Sequence, residues 1–86
     1  MTYTPLPPVP EEFKVLSMMH NIGAITPDRS LTPEELAMWT GIEIGMVKDC
    51  LQRLRELGYV EHAEISGVQK YHVTKIGIMK VLTLYS

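Results

Sequence analysis

The sequence predicts a small, mainly α-helical domain that carries one β-hairpin, and three observations lead to this fold class. The chain has 86 residues, which suits one domain and leaves no room for a large two-domain enzyme. Its composition, 45% hydrophobic and 21% charged, is that of a folded globular protein. Apolar residues recur at helical spacing through most of the chain, whereas a β-rich stretch begins after Gly58.

The N-terminal residues predict an extended arm followed by a helix. Prolines fix φ and lack a backbone donor, so residues 1–9 should form a polyproline-like arm and the folded domain should cover residues 10–86. Glu11 and Glu12 then place negative charge in a first helical turn, which suits the helix dipole. We expect this first helix to run to about Asn21.

A strong helix-start signal follows a loop at residues 24–31. Thr32 can act as the N-cap, Pro33 suits the first helical position, and Glu35 can reach back to the cap as a capping box. The second helix should therefore cover about residues 33–39. Its inward-facing residues should be Leu36, Ala37 and Trp39.

Gly41 should end the second helix, and a third helix should run from about Ile44 to Leu57. Its apolar residues are spaced three, one and three apart, which fits one face of a helix. The inner face comprises Val47, Cys50, Leu51 and Leu54, and the outer face comprises Lys48, Asp49, Gln52, Arg53 and Glu56.

The residues after Gly58 predict a hairpin with a two-residue turn at Ser66-Gly67. Such a turn fixes which residues of the two strands lie opposite each other. The expected pairs are Ile65 with Val68, His62 with Tyr71, and Val60 with Val73, the last as joint core residues. Thr74 can then cap a final helix from about Lys75 to the C-terminus.

Two stretches match one known family in detail. The segment from Leu31 to Val60 reads LTPEELAMWTGIEIGMVKDCLQRLRELGYV, and the run Tyr71-His72-Val73-Thr74 with Gly77 follows it. They resemble the helix-turn-helix, the return strand and the start of the final helix of MarR-like and related prokaryotic winged-helix regulators. The resemblance covers roughly residues 11–82. It implies a winged helix-turn-helix fold with three helices, a two-stranded wing and a C-terminal helix.

The resemblance also implies a DNA-binding transcriptional regulator whose partner is double-stranded DNA. In the family, the start of the third helix reads bases in the major groove, and the wing touches the neighbouring minor groove or backbone. The residues at those positions here are Ile44, Gly45, Met46, Lys48, Asp49, Gln52 and Arg53, with Lys70 on the wing.

Charge is divided unevenly along the chain in a way that favours this interpretation. The formal net charge is −2. Residues 1–44 hold two basic against six acidic residues, or −4, whereas residues 45–86 hold six basic against four acidic residues, or +2. The third helix and the wing therefore lie in the positive half.

A second interpretation is a winged-helix module that binds protein within a transcription complex or another macromolecular assembly. DNA-reading helices are usually rich in basic and small polar residues, but this one opens with Glu43, Ile44, Gly45 and Met46. Ile44 and Met46 would then be apolar anchors, and Glu43 and Asp49 would select a basic partner.

The sequence lacks the motifs of enzymes, metal sites and membrane spans. It contains no Gly-rich phosphate loop and no nucleophile with a paired base, and its one cysteine, Cys50, excludes an internal disulfide. The expected register places His62 and His72 on opposite faces of the hairpin, which disfavours a metal pair. No apolar run approaches the length of a membrane span. We expect no catalytic residue, cofactor, metal or small-molecule ligand. We expect a cytoplasmic location, in which the protein associates with the nucleoid when it is bound to DNA.

The final helix predicts a homodimer. It is apolar almost all round, and a chain of this size can cover only one side of its last helix. The resemblance assigns Gly77 and Val81 to contacts within the domain, and the first helix has a similar apolar surplus. The expected interface comprises Val15, Met18, Met19, Ile78, Met79 and Leu82.

Overall fold

Four helices and one antiparallel hairpin follow each other in the predicted order. The computed structural model describes residues 9–84. The helices are α1 (Glu11–Asn21), α2 (Pro33–Thr40), α3 (Ile44–Glu56) and α4 (Lys75–Leu84), and the strands are β1 (Val60–Ile65) and β2 (Val68–Val73). A short 3₁₀ turn, Pro27–Arg29, lies within the loop between α1 and α2. The mainly α-helical fold class with one hairpin is confirmed. Apart from Val9, the predicted arm over residues 1–9 lies outside the described residues.

The junction of α2 and α3 forms a helix-turn-helix because strong end signals define both helices. Thr32 Oγ1 accepts a hydrogen bond from the Glu35 N–H, and the Glu35 carboxylate accepts one from the Thr32 N–H, which together form the predicted capping box. Gly41 ends α2 in the left-handed region with φ of 72°, a conformation that glycine adopts without strain. Ile42 then packs against the core below the turn.

The hairpin has the predicted register throughout, from Ile65 opposite Val68 to Val60 opposite Val73. Both turn residues, Ser66 and Gly67, have positive φ, as a two-residue turn of type I′ requires. A feature that the sequence did not indicate is a one-residue bridge between Leu31 and Tyr71 on the other edge of β2. β2 is therefore paired on both sides, whereas no segment of residues 9–84 pairs with the outer edge of β1.

The core lies around α1, which contacts α2, α3, α4 and β2. The inner face of α3 is buried as predicted, and Cys50 is part of it. Burial raises the pKa of the Cys50 thiol, so the side chain behaves as a small apolar group. The remaining buried apolar residues are Val15, Leu16, Met19, Ala24, Leu36, Val60, Val73 and Val81.

Helix α4 docks closely on the rest of the domain at its first turn. Thr74 Oγ1 donates a hydrogen bond to the Gly58 carbonyl at 2.6 Å and accepts one from the Gly77 N–H at 3.1 Å, so it caps α4 and joins it to the chain before β1. Gly77 is buried against the backbone of Tyr59, where a Cβ atom would overlap the Tyr59 carbonyl oxygen.

Three predictions about burial are wrong. Trp39 was expected to face inward, but 62% of it is exposed because the inner side of this short helix is already filled by Leu36 and Ala37. Val15 and Met19 were expected at a dimer interface, but both are fully buried. Because α1 is covered by neighbouring elements on several sides, its apolar surplus is used within the chain.

Candidate nucleic-acid interface

An open cleft of about 450 Å³ lies between the outer side of α3 and the hairpin. The polar side chains of α3 that line it are spaced four and three residues apart, so they form one stripe along the helix. The lining residues are Lys48, Gln52 and Arg55 from α3, Gly67, Val68, Gln69 and Tyr71 from the hairpin, and Pro33 and Glu34 from α2. Two cations, two amide side chains and the carboxylate of Glu34 therefore face one concave surface, which leaves it a net positive charge.

Arg53 does not belong to this stripe. Its guanidinium forms an ion pair with Glu12 of α1 at 3.7 Å, and its Nη2 donates a hydrogen bond to Cys50 Sγ at 3.6 Å. Arg53 therefore lies on the side of α3 that faces α1, away from the cleft. Arg55, which the sequence analysis did not select, takes its place beside Lys48 and Gln52.

The first turn of α3 is capped by its own acidic residue. The Glu43 carboxylate accepts hydrogen bonds from the Gly45 N–H at 2.9 Å and the Met46 N–H at 3.2 Å. A Cβ atom at Gly45 would come within 3.0 Å of this carboxylate, so the missing side chain leaves room for the cap. Two of the free N–H groups at the start of α3 are thus satisfied within the chain, and a negative charge of the chain itself lies at the positive end of the helix dipole.

The remaining predicted site residues fall in different surroundings. Gly45, Met46 and Asp49 are exposed on α3, as expected for residues that meet a partner, whereas Ile44 is half-buried. Lys70 is half-buried near Glu35, and it does not line the cleft. The protein-binding interpretation loses support here, because Ile44 is only partly accessible and Glu43 is engaged in the cap.

A second surface runs along α4. Three apolar residues spaced three apart are 60–66% exposed and form one stripe, and they are Ile76, Met79 and Leu82. Of the predicted interface residues, Met79 and Leu82 lie in this stripe, whereas Ile78 is half-buried and packs against the core. Met18 on α1 is half-buried too. Ile76 was missed, because the sequence shows that α4 is apolar all round but not which side the domain covers.

The described residues contain no cluster that suits a metal ion. No group of three or more His, Cys, Asp or Glu residues within residues 9–84 could hold one. His62 and His72 do lie on opposite faces of the hairpin, and His72 forms an ion pair of 3.6 Å with Glu61 when protonated. Across the same residues, no helix has the length and apolar character needed to cross a membrane.

Comparison with solved structures identifies the arrangement of these elements. The DNA-binding TubR fragment from Clostridium botulinum superimposes with a TM-score of 0.77 at 22% identity, covering 92% of this chain and 99% of the fragment. The oxidised form of MarR from E. coli superimposes with a TM-score of 0.69 at 26% identity and covers 84% of this chain. The chain has a MarR-like winged-helix fold. Its hairpin is accordingly the wing.

The match to MarR proteins covers part of their length. A MarR family protein from Bacillus stearothermophilus gives a TM-score of 0.72 at 19% identity over 92% of this chain. This chain spans about half of each MarR protein, 48% and 52% of their lengths. No protein-family model matches the sequence. No curated protein matches it either.

Proposed function

We propose that this protein is a DNA-binding transcriptional regulator, without enzymatic activity, whose helix α3 enters the major groove. The observation that carries the proposal is the stripe of Lys48, Gln52 and Arg55 facing the wing across an open cleft. Lysine and arginine can neutralise phosphates or contact guanine, and glutamine can pair with adenine. The wing residue Gln69 would touch the adjacent backbone or minor groove.

The structural comparisons support this proposal through their shared architecture. The TubR fragment is described as DNA-binding, and its whole length superimposes on this chain. The cleft of this chain lies where a winged helix presents its third helix and its wing together. A protein that acts on DNA in this way would work in the cytoplasm, at the nucleoid.

Fluorescence anisotropy with labelled duplex DNA at low salt tests the proposal. We expect the Lys48→Ala, Arg55→Ala double variant to bind DNA at least about tenfold more weakly than wild type. The slope of the logarithm of the binding constant against the logarithm of salt concentration should become shallower by about two, one for each lost cation. The matched control is Lys14→Ala. It also removes an exposed positive charge, but from α1, which contributes no lining residue to the cleft. Its affinity should equal that of wild type.

A companion variant separates the two arginines of α3. Arg53→Ala should leave the salt slope unchanged, because Arg53 is paired with Glu12 instead of facing the cleft. Selection of bound sequences from a random duplex library then shows whether binding is sequence-specific. If wild type has no affinity for any duplex at low salt, the proposed function is wrong.

We also propose that the protein acts as a homodimer through α4. The exposed stripe of Ile76, Met79 and Leu82 is typical of a helix that lacks a partner. Of the three α1 residues that were predicted at the dimer interface, Met18 is the one that is not fully buried. A twofold axis through this surface would present two α3 helices to half-sites about one turn of DNA apart.

A further inference from the structure

Helix α2 carries an exposed apolar pair that neither the DNA cleft nor the α4 stripe uses. Met38 is 86% exposed, the highest value among the described large apolar residues, and Trp39 is 62% exposed, which is comparable with the α4 stripe. Together with Glu35 they line a shallow depression that is separate from the cleft. We call Glu34, Glu35, Met38 and Trp39 the α2 outer face, of which only Glu34 also borders the cleft.

The α2 outer face combines apolar and acidic groups at fixed spacing. Glu34 precedes Met38 by one helical turn and Glu35 precedes Trp39 by one turn, so each apolar side chain lies beside a carboxylate. The helix contains no basic residue, and no salt bridge of the described part of the chain involves Glu34. The pKa of Glu35 is held below its usual value, chiefly by the hydrogen bond from the Thr32 backbone, so its carboxylate stays ionised.

A surface of this composition does not suit the phosphate backbone of DNA. It does suit a protein segment, because tryptophan and methionine are enriched at protein interfaces and tryptophan often contributes much of the binding energy. The carboxylates fix the sign of charge that a partner must carry. Glu35 stays ionised while it accepts the capping hydrogen bond from the Thr32 N–H, so the two carboxylates would repel an acidic segment.

We propose that the α2 outer face binds a basic peptide segment of another protein, which places an apolar side chain against Trp39 and Met38. Lysine or arginine residues about one helical turn from that apolar anchor pair with Glu34 and Glu35. The depression at Trp39 is separate from the cleft of α3 and the wing, so a bound segment and DNA would approach each other only at Glu34, which borders both surfaces.

Selection from a phage-displayed library of random peptides tests this proposal, with the full-length chain as target and the Met38→Ser, Trp39→Ser double variant as counter-target. We expect the enriched peptides to carry lysine or arginine beside an apolar anchor. A synthetic peptide from the selection should bind the double variant at least tenfold more weakly than wild type. It should also bind the Glu34→Gln, Glu35→Gln variant several-fold more weakly at low salt, since glutamine can still cap α2.

Trp39 supplies an independent signal, because it is the one tryptophan of the chain. In the free protein its emission should be that of a solvated indole and readily quenched by acrylamide. Peptide binding should shift the emission to shorter wavelength and reduce quenching. Circular dichroism and anisotropy with DNA should show that the double-serine variant remains folded.

Four results would overturn the proposal. Peptides that bind the double-serine variant as tightly as wild type, or enriched peptides without basic residues, would place the contact elsewhere. Emission that is already blue-shifted at every protein concentration would mean that the chain covers its own Trp39. A blue shift that grows with protein concentration would make a second copy the occupant.

Discussion

The carboxylate of Glu43 occupies the place on α3 where a helix most readily holds an anion. Two hydrogen bonds from the Gly45 and Met46 N–H groups fix it there. In the proposed complex, a phosphate approaching this end of the helix would meet a negative charge. Contact with DNA would therefore be concentrated on the later turns, where Lys48, Gln52 and Arg55 lie.

Replacing Glu43 with serine should strengthen DNA binding. Serine is a good N-cap residue and preserves a hydrogen-bond acceptor, so the main change is the loss of one negative charge. We expect a two- to fivefold gain in affinity at low salt, which corresponds to about 0.5–1 kcal/mol. Glu11→Ser makes the same charge change at the start of α1 and should leave affinity unaltered. An equal gain in both variants would show only the effect of net charge.

The capping box makes a small part of the stability depend on pH. The hydrogen bond from the Thr32 N–H is the main cause that lowers the pKa of Glu35 below 4.5, and the Thr32 hydroxyl and the positive charge of Lys70 act in the same direction. A lowered pKa in the folded state stabilises the protein above pH 4.5, and this stabilisation disappears as pH falls through the folded value.

Urea unfolding of wild type and Glu35→Gln at a series of pH values tests this dependence. The difference in unfolding free energy should be constant near neutral pH and should shrink below about pH 4.5. Glu34→Gln also replaces a carboxylate with an amide, but Glu34 lies outside the capping box, so this variant controls for the general effect of removing one negative charge. A difference that persists unchanged at pH 3 would contradict the role of the capping carboxylate.

Some side chains of α3 that line the cleft could be predicted from the sequence pattern, and others could not. Lys48 and Gln52 follow from the helical period, because the apolar face of α3 fixes which residues are solvated. Arg53 and Arg55 are both solvated and both near the end of α3, and they point to opposite flanks. Choosing between them requires the positions of Glu12 and the wing, which come from tertiary packing.

At the scale of elements, α4 approaches the segment before β1 closely at Gly77. Gly77 has no side chain, and a Cβ atom there would overlap the Tyr59 carbonyl oxygen and come within 2.7 Å of Val73 Cγ1. Backbone and buried side chains cannot move aside as a surface side chain can. A glycine in this helix therefore reflects packing, against the usual preference for alanine.

Gly77→Ala should destabilise the protein by about 2–3 kcal/mol, the cost of forcing a methyl group into a packed core. Elsewhere in a helix the same change stabilises by up to about 1 kcal/mol. Gly45→Ala is the matched comparison, because its Cβ would meet only the exposed Glu43 carboxylate. Its effect on the urea midpoint should be small. Equal effects at the two glycines would contradict the close approach.

Most elements could be predicted from sequence because local signals agree at their ends. Thr32 and Gly41 define α2, and Ser66-Gly67 fixes the register of the whole hairpin. The Leu31 bridge could not be predicted, because a single paired residue leaves no period in the sequence. Trp39 was misjudged for a related reason: α2 is too short for its apolar residues to show how wide its buried face is.

At the scale of the whole molecule, the α4 stripe lies apart from the proposed DNA cleft and is the surface that would set the oligomeric state. Burying Ile76, Met79 and Leu82 against a second copy would remove three exposed large side chains from water. The ion pair of Arg53 with Glu12 joins α3 to α1, which also contacts α4.

Sedimentation velocity tests the dimer. Wild type should sediment as a dimer at micromolar concentration, whereas Met79→Lys with Leu82→Lys should give a folded monomer, because both side chains are exposed in the single chain. Met38→Lys introduces the same charge at an exposed residue of α2 and should remain dimeric. A monomeric wild type, or a double-lysine variant that stays dimeric, would contradict the α4 interface.

The unpaired outer edge of β1 has a consequence for solubility. Such an edge offers a row of free backbone groups to the same strand of another molecule, and sheets can extend in this way into aggregates. In the six residues of β1, Glu61 and Glu64 project from opposite faces of the ribbon. Two β1 strands joined edge to edge would bring four carboxylates together along strands about 4.8 Å apart. Like-charge repulsion therefore disfavours polymerisation of the wing through the outer edge of β1, with which no segment of residues 9–84 pairs.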